Sequence, residues 1–271
     1  LRNTMRFLLG SVHEFDPAKT VPVEEMPELE RYMLHLVAEL DETVRKAYAA
    51  YDFPAVWQAV FTFATVDLSA FYFDVRKDAL YCDAPGAARR QACLTVLDAL
   101  FHRLVTWLAP ILVFTMEEVW LERYPGEDSS VHLQDMPPAP SEWHNAELAR
   151  KAARIRRIRR VVTGALEVAR RDKVIGASLE AAPVVHVPTS EMALLNTEQF
   201  ADLCITSAIT VTDAPAPADA FRLEDEAEIA VVFALAEGKK CRRCWKILPD
   251  VGQFANADVC GRCNEALIAL R

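Results

Sequence analysis

Apolar residues recur at intervals of three and four along most of the first 125 positions. Leu29, Met33, Leu36, Leu40, Val44, Ala47 and Tyr51 fall on one face of a helix. Asp52, a good cap, followed by Pro54, suited to a first turn, closes that helix and opens another with the stripe Val56, Val60, Phe63, Val66, Ala70 and Phe73. A further stripe, Leu94, Leu97, Phe101, Leu104 and Leu108, stops before Pro110, and the next helix runs to about Trp120. Long helical segments with short connections predict an antiparallel helix bundle. Residues 125–143 then become rich in Pro, Ser and acidic side chains, where missing donors prevent helix. From Glu147 to Arg171 the helical period returns, with Ile155, Ile158, Val162, Ala165 and Ala169 on one face.

After Gly176 the pattern shortens to β-rich runs at Val184–Val187, Ile209–Thr212 and Glu228–Leu235, with a helix expected near Glu191–Leu203 and a flexible link at Ala214–Pro217. The predicted fold is therefore mainly α: an antiparallel bundle over 1–140, a basic helix with a small mixed α/β unit over 141–238, and a zinc knuckle or ribbon over 239–271. The last rests on cysteine spacing. Cys241, Cys244, Cys260 and Cys263 form C-x2-C-x15-C-x2-C, the arrangement in which two tight knuckles supply four thiolates to one zinc ion. Such a shell is closed and structural, and a segment this small needs the metal to fold. Two disulfides are the alternative reading, but Cys82, Cys93 and Cys204 fit no pairing pattern, and the odd count with no secretory signal favours a reducing cytoplasm.

Composition narrows the chemistry. Only eight glycines occur in 271 residues, and the closest two are Gly252 and Gly261, so neither a Walker loop nor a dinucleotide fingerprint can be written. No apolar run reaches the roughly 18 residues of a membrane span, so no membrane association is expected. Glu117 and Glu118 are adjacent and diverge on a helix, and the histidines show no metal spacing. No active site assembles. The start at Leu1, without Met or signal-peptide pattern, points to an excised piece.

The net charge of −9 argues against a uniformly basic nucleic-acid binder, but the charge is segregated. Residues 150–180 carry +7 and residues 239–271 carry +4, against −11 over 1–149 and −9 over 181–238. Basic side chains beside an aromatic suit RNA, with guanidinium and ammonium groups on phosphates and an indole under an unpaired base. Arg154, Arg156, Arg157, Arg159, Arg160 and Lys173 on or just beyond the basic helix, and Arg242, Arg243, Trp245 and Lys246 around the zinc ligands, are the candidates. Trp245 could instead cover the knuckle core, and the arginine run could be a solvated helix face.

Several segments together resemble the C-terminal region of bacterial isoleucyl-tRNA synthetases, class I aminoacyl-tRNA synthetases. They are Arg2-Asn3-Thr4 with Arg6–Gly10, Val66–Tyr72, Ala109–Leu112 with Phe114–Trp120, Ile175–Ala181 and Lys240–Trp245. The zinc segment also resembles the finger of formamidopyrimidine-DNA glycosylases. The resemblance implies that residues 1 to about 140 form the anticodon-binding domain and the remainder a C-terminal extension with one structural zinc. It further implies that the intact ligase charges tRNA(Ile) with isoleucine using ATP. The family's catalytic motifs and editing insertion are absent from this sequence, so the piece is expected to bind the anticodon stem-loop as a monomer without aminoacylating it. ATP binding would belong to the absent catalytic domain. Arg2, Asn3 and Arg6 become the candidate RNA contacts of the bundle, although Arg6 would also suit a buried ion pair. A zinc-finger DNA-repair module and a helical protein-interaction module with structural zinc are the competing readings.

Overall fold

In the computed structural model, which describes residues 1–13 and 15–270, the chain divides into two units, Leu1–Ala149 and Arg150–Arg271. The first is all-helical. Its elements are α1 (Arg2–Val12), α2 (Glu28–Ala49), α3 (Phe53–Thr62), a π-helix (Phe63–Tyr72), α4 (Phe73–Cys82), α5 (Ala88–Leu108) and α6 (Val113–Arg123). The central α5 buries Leu94, Leu97, Phe101, Leu104 and Leu108, the stripe that the period predicts. Asp52 caps α3 by accepting from the Ala55 N–H at 3.0 Å, with Pro54 in the first turn. Inside the bundle Glu30 is fully buried and accepts two bonds of 2.6 Å from Arg76, with Tyr72 donating to the same carboxylate at 3.2 Å. A charge there is tolerated only because its partner is in place.

Within the bundle, two stretches depart from the predicted stripes. Tyr51 lies beyond the end of α2, in the left-handed region at φ +56°, and is exposed rather than part of the buried stripe. Val66 and Ala70 also face outward, because the π-helix gains more residues per turn than the 3.6 on which the stripe was drawn. Leu68, Phe71 and Tyr72 take the inward positions instead. The continuous helical segment Phe53–Cys82 is, among the described residues, the one stretch long and apolar enough to span a bilayer, longer than any uninterrupted apolar run in the sequence. Val56, Val60, Leu68 and Tyr72 bury its inner face in the bundle core.

The second unit is organised by α7 (Ala146–Arg171), whose last 22 residues belong to it. Ile158, Val161, Val162, Ala165, Leu166 and Ala169 pack on a three-stranded sheet and α9 (Thr197–Cys204). In that sheet β1 (Val184–His186) pairs parallel with β2 (Thr210–Thr212) and antiparallel with β3 (Ala230–Val232). The single helix expected near 191–203 is two, α8 (Thr189–Met192) and α9, the second started by Asn196 accepting from the Gln199 N–H at 3.0 Å. A two-stranded hairpin, β4 (Lys239–Lys240) with β5 (Ile247–Leu248), and α10 (Gly261–Ile268) complete the chain. Gly238 begins the hairpin at φ +120°, where a Cβ would sit 2.3 Å from the Leu248 carbonyl, so only glycine fits.

Candidate zinc centre and nucleic-acid interface

The four predicted ligand cysteines are buried together, their sulfurs all within 4.8 Å of one another. The Cys244 and Cys260 sulfurs are 3.8 Å apart. Zinc–sulfur bonds of about 2.3 Å in a tetrahedron place sulfurs about 3.8 Å apart, so the donor set fits zinc by type, number and spacing. No disulfide joins these four cysteines. The first pair sits in the β4–β5 turn, closed by Cys241 N–H to Lys246 O at 2.9 Å and Trp245 N–H to Cys241 O at 3.0 Å. The second pair opens α10, with Cys260 as its cap residue. Burial raises the Cys241 thiol, but N–H groups of Cys244, Cys260 and Arg243 more than offset this and bring it down to about 7. Burial pushes the Cys260 thiol up to about 11. Backbone donors aimed at sulfur favour the thiolate that a metal requires.

Trp245 stands outside this core. It is 62% exposed, so it does not cover the knuckle, and its backbone is left-handed at φ +65°. A bulky residue there is strained. Lys240 Nζ lies 5.9 Å from the indole centroid, giving the ring a cationic neighbour. Arg242 is exposed and meets Asp258 at 3.1 Å. Arg243 is half-buried and reaches the Cys263 sulfur at 3.8 Å, so it serves the centre directly. Lys246 is mostly buried and bonds Asp202 of α9 at 2.7 Å, tying the zinc unit to its neighbour.

The arginines of α7 sort into three groups. Arg154 is largely enclosed, bonding Glu191 at 2.6 Å and also Glu226. Arg156 and Arg159 are half-buried on the flank, with Arg159 donating to the Leu203 carbonyl at 2.5 Å. Arg157 and Arg160 face solvent. With Arg150 and Arg171, which sequence reasoning does not single out, they form one outward stripe at helical spacing, about 31 Å from end to end at 1.5 Å per residue, and Arg171 bonds its neighbour Asp172 at 2.9 Å. Phase carries part of this signal: 160 and 171 lie opposite the inner face that the apolar positions fix, while 150 and 157 sit nearer its edges. Lys173 is exposed just past the helix, left-handed at φ +59°. In the first unit Arg2, Asn3 and Arg6 are exposed together on the outer face of α1. Arg6 is therefore no buried ion-pair partner.

Residues 30–186 match the family described as the anticodon-binding domain of tRNA ligase, more than half of the chain. The chain belongs to this anticodon-binding domain family. Residues 238–265 match the zinc finger found in FPG and IleRS, and with the four-cysteine cluster this makes the centre a site for one structural zinc. The chain is 65% identical over 98% of its length to an isoleucine–tRNA ligase of Ruegeria pomeroyi, covering 28% of that protein. It is 53% identical over 93% of its length to the ligase of the same name from Agrobacterium fabrum, covering 26% of it, and 48% identical over 93% to that of Bartonella henselae. The chain thus spans little more than a quarter of the length of the curated relatives it matches.

Proposed function

We propose that this chain is the tRNA-recognition part of an isoleucine–tRNA ligase, binding the anticodon stem-loop of tRNA(Ile) in the cytoplasm as a monomer. The charging of tRNA with isoleucine at the expense of ATP would belong to the longer ligase, and this chain supplies recognition. The observation that carries the reading is Trp245: in a chain of the anticodon-binding family, a zinc knuckle holds an indole in a strained, exposed position beside a lysine. Such a ring offers a stacking face for an unpaired base, and sequence-selective RNA reading targets unpaired bases. Arg157, Arg160, Arg150 and Arg171 along α7, with Lys173, follow phosphates, and Arg2, Asn3 and Arg6 on α1 contact the stem. Arg154, Arg156, Arg159, Arg243 and Lys246 hold the protein surface in shape, a role their internal partners support. Cys82, Cys93 and Cys204 are buried as thiols, which suits a reducing compartment.

Filter binding of the zinc-loaded chain to a tRNA(Ile) transcript, with and without a substituted anticodon, tests the proposal. Discrimination of at least tenfold is expected. Equal affinity for both, with steep salt dependence, would reduce the binding to non-specific phosphate attraction.

A further inference from the structure

The outward stripe of α7 is not bare. Its two central arginines meet a short acidic turn, Glu224–Glu226, that leads into β3. The turn is fixed from beneath by Arg154, which bonds Glu226, itself only 6% exposed. From that anchor the other Glu226 oxygen lies 3.5 Å from the Arg157 Nε, and Asp225 bonds Arg160. The outer pair is wet: the Arg160 and Asp225 side chains are 52% and 64% exposed.

We propose that this acidic turn is an internal stand-in for the RNA backbone, occupying Arg157 and Arg160 until phosphates displace it. The inference rests on the reading of α7 as a phosphate track. Carboxylate and phosphate oxygens compete for the same guanidinium fork. The competition is graded by burial. Arg154 and Glu226 are enclosed together and stay paired, because separating them would leave a carboxylate buried alone. Asp225 and Arg160 exchange partners easily, because an exposed pair is worth little. The consequence is a threshold. A polyanion that touches one arginine gains little after displacing a carboxylate, whereas a backbone in register with the whole stripe recovers the cost at Arg150; Arg171, which bonds Asp172 at 2.9 Å, exchanges its partner in the same way as Arg160. The turn thus selects for an RNA that lies along the helix over a loosely held one.

Asp225→Asn removes the competing charge at constant size at an exposed position, and thermal unfolding of every variant checks that the fold is kept. In fluorescence anisotropy with labelled tRNA(Ile) transcript, Asp225→Asn should bind about two- to five-fold tighter, the range that release from one exposed ion pair allows. Arg160→Gln should bind more weakly, and adding Asp225→Asn to it should give no gain. Unchanged affinity in Asp225→Asn would overturn the proposal. If tRNA binding then still fell on Trp245→Ala, the recognition reading would survive that loss. If neither the wild-type chain nor Asp225→Asn bound tRNA, both would fall together.

Discussion

Lys246 bonds Asp202 at 2.7 Å, and the residue immediately before it, Trp245, stays in solvent. One residue of the knuckle is thus spent on fixing the zinc unit against α9, and its neighbour is left to present an aromatic face. Ile247 reinforces the anchor by donating its N–H to the Ser207 hydroxyl at 2.7 Å.

The strain at Trp245 predicts a separation of stability from binding. Glycine at this position relieves a left-handed backbone that costs a bulky residue about 1–2 kcal/mol, and little buried area is lost with the exposed ring. Trp245→Gly should therefore unfold at the same or a higher temperature than the wild type while losing about 1–3 kcal/mol of RNA affinity. Thermal unfolding and tRNA titration of one preparation measure both. A lower melting temperature with unchanged affinity would make the indole structural.

Zinc removal should be local in its first effect. Without the cation the cysteines take up protons and lose the bonds that hold the two pairs together, and small metal units fold only when loaded. Cys260→Ser should lower the metal content from one zinc per chain, and amide exchange should rise sharply across 239–270 while the core of α5 stays protected. Loss of protection in α5 at the same rate would show that the two units do not unfold separately.

Arg154 and Arg160 should behave as opposites despite lying on one helix. Arg154→Ala leaves Glu226 buried without its partner and should cost about 3 kcal/mol, read by denaturant unfolding. Arg160→Ala removes an exposed pair, should change stability by less than about 1 kcal/mol, and should weaken tRNA binding.

Asp98 gives a pH signature to the bundle. Burial raises its pKa, but hydrogen bonds from His102 and Arg123 outweigh this and hold the carboxyl below its usual value. Its stabilising contribution is present above the ordinary carboxylate pKa of about 4 and disappears as pH falls through the lower folded value. Asp98→Asn should be less stable than wild type at neutral pH, and the two should converge in acid. A gap that stayed constant down to pH about 2 would contradict the assignment.

What was legible in the sequence followed from periodicity and ligand spacing. The stripe of α5, the Asp52 cap and the four-cysteine centre all depend on local geometry, where a residue's type and its offset from the next suffice. Val66 and Ala70 escaped because a change of helical winding leaves no mark in composition. The roles of Arg154 and Arg160 escaped for a different reason: their partners, Glu226 and Asp225, lie 72 and 65 positions away. Which cation is enclosed by the fold and which stays in solvent is decided by those long-range pairings. The acidic balance of 181–238 hid the same fact, since part of it neutralises the basic helix.

Titration with an isolated tRNA(Ile) anticodon stem-loop, followed by intrinsic tryptophan fluorescence, tests the central claim most directly. Saturable quenching that is lost in Trp245→Phe, with affinity falling at least tenfold when an unpaired anticodon base is replaced, is the predicted result. Binding indifferent to the loop sequence, with no change in quenching on removing Trp245, would contradict it.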